Sequence, residues 1–187
     1  MDEIKTMRQE IERLQERLRS ETESRIDMEK RCQLLEKLAY RDPGTGLRTE
    51  TYLQARVREE IDRAIRFPSA TSLVTLVAPR EQDAELSMLG QRLTDELRST
   101  DQVFRLGDHG LAILLVETPE DGARRVLDRL SQDLEHFVQG YGYTVTSFPV
   151  DANLADEFIS MAMTRHQSLA QRYYPEEYSN GGHMTIH

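Results

Sequence analysis

The chain has 187 residues, 38% of them hydrophobic and 30% charged, which suits one globular domain of ordinary size plus an extended segment. Its formal net charge is -9, so a duplex nucleic-acid partner, which demands a basic face, is not expected. The single cysteine, Cys32, excludes a disulfide framework and a cysteine-based zinc site. The five histidines (His109, His136, His166, His183 and His187) lack metal-ligand spacing, and no cofactor is expected. No apolar run approaches the ~20 residues of a membrane span, and the N-terminus is charged from Asp2 onward, unlike a secretory signal. The cytoplasm is the expected compartment.

Residues 1 to about 40 read as one long helix, because no Gly or Pro precedes Pro43. Apolar residues follow a heptad, with Ile4, Ile11, Leu18, Cys32 and Ala39 at a and Met7, Leu14, Met28 and Leu35 at d. Glu21 at d and Arg25 at a interrupt this seam, and one helical turn apart they are placed to pair with each other. Glu3 with Arg8 and Arg31 with Glu36 suit interchain g-to-e pairs of a parallel dimer. The segment is too polar all round for a core helix. A parallel coiled-coil homodimer through residues 1–41 is therefore preferred over a single amphipathic helix packed on its own domain.

Arg41-Asp42-Pro43-Gly44-Thr45-Gly46-Leu47 breaks the helix and re-aims the chain. Thr49 is a plausible N-cap for a helix with Tyr52, Leu53, Val57, Ile61 and Ile65 on one face, closed by Pro68 and Ser69. Leu73–Val77 reads as a buried strand, stopped by Pro79. A helix begins near Asp83 with Leu86, Leu89, Leu93 and Leu97 inward. Val103–Leu106 and Leu111–Val116 are strands around the turn Gly107-Asp108-His109-Gly110, a hairpin signal. Thr118 is expected to cap the next helix, with Pro119 at its first position, Asp121 in its first turn, and Ala123, Val126, Leu127, Leu130 and Leu134 buried. Tyr143–Phe148 is the last strand. Residues 153–174 form a final helix carrying Leu154, Phe158, Met161, Ala162 and Leu169, and a flexible tail follows over 175–187. Residues 42–174 thus make an α+β domain, helices around a central, mainly antiparallel sheet.

Three stretches resemble the GGDEF family of diguanylate cyclases, in the family's order. Asp42-Pro43-Gly44-Thr45-Gly46-Leu47 is similar to its lead-in motif D-x-L-T-G-L. Arg105 to Leu115 resembles the signature hairpin, R-x-G-G-D-E-F followed by an apolar strand. Ser147-Phe148-Pro149-Val150-Asp151 resembles the turn S-[YF]-P-x-D before the last helix. The resemblance covers residues 42–174 and implies a nucleotidyl-cyclase-like fold. It also implies where catalysis would need residues, and the sequence departs there. Asp108, His109, Gly110 and Leu111 stand where G, D, E and F belong, so Gly110 replaces the hairpin carboxylate that holds metal. Ala78 or Pro79 stands at the strand end where the family places a metal-binding Asp. The chain runs from Val77 to the next helix without the family's guanine-reading Asn and Asp. Two-metal phosphoryl transfer has no footing in such a set, so cyclase activity is not expected.

The family also binds its product, cyclic di-GMP, at an inhibitory R-x-x-D pattern ahead of the hairpin. Arg98-Ser99-Thr100-Asp101 matches it, and counting without gaps puts the family's additional helix arginine at Arg129. An Arg can donate to guanine O6 and N7 or stack on the base, a carboxylate can accept from guanine N1–H and the 2-amino group, and Arg129 would offset phosphate charge. A surface pair of Arg98 with Asp101 at a helix end is the plainer alternative, and Arg124 and Arg125 read as a solvated helix face. The expectation is a non-catalytic cyclic di-GMP receptor that signals to a protein partner through a dimeric stalk. The alternatives are a pseudo-enzyme scaffold or interaction module with no nucleotide, and a residual enzyme that binds GTP without cyclising it.

Overall fold

The computed structural model describes residues 2–77, 83–133 and 140–175. The chain forms two compact units, residues 1–39 and 40–187. The first is a single helix, α1 (Asp2–Ala39). Its seam residues Met7, Ile11, Leu14, Leu18, Met28, Cys32 and Leu35 are all exposed. The expected pair of Glu21 with Arg25 does not form. Glu21 accepts from Arg17 Nε at 3.1 Å, and Arg25 lies 3.8 Å from Glu29. Each seam residue has an opposite charge one turn away on its other side, and Arg17 and Glu29 flank the seam at g and e, where the pair stays in water. Arg31 pairs within the helix with Asp27 at 2.9 Å. The side chains of Glu3, Arg8 and Glu36 lie outside the described residues.

In the second unit, the described residues form helices α2 (Glu50–Arg66), α3 (Asp83–Glu96), α4 (Glu120–Asp133) and α5 (Ala155–Tyr173). The strands are β1 (Thr71–Val77), β2 (Gln102–Leu106), β3 (Gly110–Leu115) and β4 (Gly142–Phe148). They form one antiparallel sheet in the order β2-β3-β1-β4, so the α+β expectation holds. β1 and β3 are central and buried at every position. Their side chains alternate between two cores. On one face Leu73, Ala112 and Leu114 pack with Leu53, Val57 and Ile61 of α2 and Phe158 and Ala162 of α5. On the other, Val74, Leu111 and Ile113 pack with Leu86, Leu89 and Leu93 of α3 and Leu127 and Leu130 of α4. Of the buried hydroxyls on β1, Ser72 Oγ donates to the Thr118 carbonyl at 2.8 Å and Thr75 meets Thr144 across the sheet at 2.8 Å, while Thr71 Oγ1 has no partner among the described residues.

Several elements differ in detail from the sequence expectation. Thr49 caps α2 by accepting from the Tyr52 amide, as its position implied. Ile65, however, is 51% exposed, and Ala64 takes the buried place. Leu53 to Ala64 spans three turns, whereas one residue further has rotated off the face. The first carbonyl of α4 to accept an intrahelical bond is that of Pro119, from the Ala123 amide, while the Thr118 hydroxyl donates to Val116. The cap therefore sits at Pro119, one residue later than expected. On α5, Leu154 and Met161 face solvent, because the buried face runs through Phe158, Ile159, Ala162 and Ala170. Leu134, Ala78, Pro79 and the tail from residue 176 lie outside the described residues.

Two loops are fixed by their own polar groups. In the lead-in, Asp42 Oδ1 accepts from the Thr45 amide at 2.8 Å and from its hydroxyl. The Ser87 hydroxyl of α3 donates to the Thr45 carbonyl at 2.7 Å, and Leu47 lies so close to α3 that a Cβ on Gly90 would stand 2.5 Å from it. The following residue continues to the sheet, where the Arg105 amide donates to the Arg48 carbonyl at 2.7 Å. In the turn after β4, Asp151 accepts from the Ser147 amide at 2.8 Å and takes both guanidinium arms of Arg165 at 2.7 and 2.9 Å. Arg165 also donates to the Val145 carbonyl at 2.7 Å, tying α5 to β4. That guanidinium holds the Asp151 carboxyl below its ordinary value. A lowered carboxyl adds stability above its unfolded pKa, which is lost as pH falls through the folded one. Arg165→Met should therefore destabilise the fold by about 2 kcal/mol at neutral pH. In urea titrations its deficit relative to the parent should shrink below about pH 4.

Candidate functional site

The turn between α3 and β2 carries Arg98 and Asp101. The Asp101 amide donates to the Arg98 carbonyl at 3.0 Å, and the Arg98 amide donates back to Asp101 Oδ2 at 3.4 Å. The other oxygen, Oδ1, accepts from the Val116 amide at 3.3 Å, which fastens the turn to the end of β3. Asp101 is half-buried, and burial pushes its carboxyl above the ordinary value against the pull of those two amides. Arg98 is exposed, and among the described residues its guanidinium makes no hydrogen bond or ion pair. The plain surface pair between the two side chains is not what forms.

Arg129, on α4, donates to the Glu96 carbonyl at 3.0 Å and so satisfies the C-terminal end of α3. Arg98, Asp101 and Arg129 line one groove of about 530 Å³ between α3 and α4, with Leu97 and Val126 as its apolar wall. Arg125 lines it too, although its sequence position reads, like that of Arg124, as a solvated face. The two differ because Arg124 turns back to Glu120 at 2.6 Å, while Arg125 and Arg129 stand one turn apart on the side facing α3. A helical-spacing argument from Arg129 would have found it. Glu96 and Glu117 share the rim, so the groove is mixed in charge and not simply basic. Three guanidinium groups around a half-buried carboxylate can bind an anionic ligand with a hydrogen-bonding edge: arginine for phosphate and purine acceptors, carboxylate for paired N–H donors.

The hairpin lies at the other end of β2. Arg105 donates to Asp83 at 3.0 Å and to the Asp108 carbonyl. His109 stacks on Tyr174 with ring centroids 4.3 Å apart. Gly110 is buried, and a Cβ there would stand 2.5 Å from the Leu106 carbonyl oxygen and 2.8 Å from His166 Cε1. A side chain at this position would have to displace backbone. His166 itself, on α5, is held by burial well below its usual range, at about 4. Among the described residues no group of three or more His, Cys, Asp or Glu could hold a metal ion, and none of their helices is long and apolar enough to cross a membrane.

Residues 80–171 match the family model for the diguanylate cyclase GGDEF domain. The chain carries a GGDEF domain. It is similar, at 26% identity over 137 residues, to an uncharacterized membrane protein of Bacillus subtilis, YdaK. That match covers 63% of this chain and 48% of the relative, so the chain spans about half the length of the curated protein it matches. Among solved structures, the GGDEF domain of TpbB (YfiN) from Pseudomonas aeruginosa aligns with a TM-score of 0.61 at 17% identity, over 71% of this chain and 89% of that one. A microbial GGDEF domain, whose structure describes a mode of interaction with bis-(3,5)-cyclic di-GMP, aligns with a TM-score of 0.60 at 19% identity, over 73% and 93%. These likenesses establish the shared fold.

The half-buried His166 has a consequence for stability. Unfolded, it takes up a proton below about pH 6.5; folded, it does so only near pH 4. Stability should therefore fall as pH drops from 6.5 toward 4, by up to about 3 kcal/mol, and level off below that. His166→Leu should flatten this slope in denaturant titrations taken at successive pH values.

Proposed function

We propose that this protein is a non-catalytic receptor for cyclic di-GMP. The dinucleotide is held by Arg98, Asp101 and Arg129, and Arg125 adds a further charge from the same groove. The observation that carries the reading is the convergence of these side chains, from α4 and from the turn before β2, on one cleft in a chain of net charge -9. In so acidic a protein a dianionic ligand needs a local cluster of arginines. The carboxylate of Asp101 adds what a bare phosphate site would not need, an acceptor for the guanine edge. The similarity to a GGDEF domain described with bis-(3,5)-cyclic di-GMP supports the same assignment.

The absence of cyclase activity is part of the proposal. Gly110 stands at the signature position where the family carries a metal-binding carboxylate. The close approach of the Leu106 carbonyl and His166 leaves no room to restore one there. The stalk, residues 1–41, makes the protein a parallel homodimer, and ligand in the groove changes the contacts it offers a protein partner. We place the domain in the cytoplasm, where a nucleotide messenger is found and the lone Cys32 stays reduced.

Titration calorimetry with cyclic di-GMP tests the receptor. Saturable binding is expected, weakened about tenfold or more by Arg98→Ala and by Asp101→Asn, as loss of one bidentate or charge-assisted contact implies. No heat at high micromolar ligand, or unchanged affinity in Arg98→Ala, would reject it. Incubation with GTP and magnesium should give no cyclic di-GMP by chromatography; turnover would show the hairpin to be catalytically competent.

A further inference from the structure

The interruption of the α1 seam points to how two copies of this chain find their register. The inference rests on the dimer reading above. We propose that Glu21 and Arg25 form a charged lock between two α1 helices: Glu21 of each helix pairs with Arg25 of the partner subunit.

The surface concerned is a narrow stripe. Met7, Ile11, Leu14 and Leu18 lie before the interruption and Met28 and Leu35 after it, all exposed. A stripe built on a and d, with Ile26 exposed beside it at b, fits a second helix with the same spacing. A membrane surface is a poor occupant, because ion pairs of both signs line the helix beside the stripe: Arg17 with Glu21, Arg25 with Glu29, and Arg31 with Asp27. A second copy fits because the interruption is self-complementary, with an acid at d followed by a base at the next a.

Parallel, in-register packing brings these groups together directly. A d knob enters a hole formed by four residues of the facing helix, two a residues, one d and one e. For Glu21 those are the counterparts of Leu18, Glu21, Thr22 and Arg25. The like charges facing one another at the Glu21 layer and at the Arg25 layer are then each balanced by two cross pairs. Sliding one helix by a heptad breaks at least one cross pair and sets charge against apolar layers. The isolated helix already leaves both groups available. Their in-chain partners, Arg17 and Glu29, form pairs in which every side chain is more than half exposed, and such pairs bind weakly. Thr22 does not compete, since its hydroxyl donates to the Leu18 carbonyl at 2.7 Å.

The test uses full-length chains carrying Glu21→Lys or Arg25→Glu, each checked for retained helix by circular dichroism. Sedimentation should show the parent as a dimer and each variant weakened about tenfold or more. An equal mixture should recover parent-like association. The introduced lysine of one chain then meets the introduced glutamate of the other, and the second cross pair keeps its original Glu21 and Arg25. One variant carries a tag, so mild oxidation at Cys32, an a position, reads the pairing. Mixed disulfide should exceed both homodisulfides, and the parent dimer should cross-link. A monomeric parent would overturn the dimer and the lock with it. A dimeric parent with unaffected single variants, statistical mixing, or no Cys32 cross-link would overturn the lock alone. The receptor reading is tested separately, by the cyclic di-GMP titration.

Discussion

Strands β1 and β3 are covered on both faces, and the rest of the globular unit is arranged by that constraint. From Ser72 onward in β1 and throughout β3, each residue is apolar, small or internally hydrogen-bonded. Two layers of helix are then required, α2 with α5 on one side and α3 with α4 on the other. The side-by-side placement of α3 and α4 on one face creates the cleft between them. Because the chain returns from α3 to the sheet through the turn at Arg98–Asp101, that turn necessarily opens into the cleft. The groove is a product of layer packing, and only its lining is a product of local sequence.

Inside that groove the electrostatics are tuned by what the backbone leaves unsatisfied. Arg129 is held by the Glu96 carbonyl at the end of α3, so its charge is placed by a helix end. Asp101 is fixed by two amides, from Arg98 and Val116, and is partly withdrawn from water. Among the described residues the Arg98 guanidinium makes no hydrogen bond or ion pair, and neither does that of Arg125. An exposed cation beside a half-buried anion that is already oriented by two amides is an arrangement in which ligand binding requires little rearrangement. At the far end of β2 the hairpin shows the opposite economy. Gly110, Leu106 and His166 are in such close approach that the position is closed to any side chain.

The first unit follows a different logic. Among its described residues helix α1 has no core of its own; its a and d apolar residues are exposed, and so is Ile26 beside them. Within the 38-residue helix, pairs one turn apart such as Arg17 with Glu21 and Arg31 with Asp27 support the helical backbone. In coiled coils generally, charge at a and d positions lowers stability and raises specificity of pairing.

Much of this was legible in the sequence. Periodicity of 2 or 3.6, the glycines around the hairpin and the Thr49 cap placed the elements in their observed order, because those signals act within a few residues of themselves. The pattern Arg98-x-x-Asp101 and the register that gave Arg129 were likewise local counts. What the tertiary structure decided were choices between equivalent neighbours. Ala64 is buried where Ile65 was expected, since the helix face is set by the sheet beneath it. Arg125 joins the groove and Arg124 does not, since α3 lies on only one side of α4. Val116 supplies an amide to Asp101 from 15 residues away, which no spacing rule anticipates. Local sequence determines what each segment can form on its own; which of two adjacent side chains meets a distant backbone depends on how the layers pack.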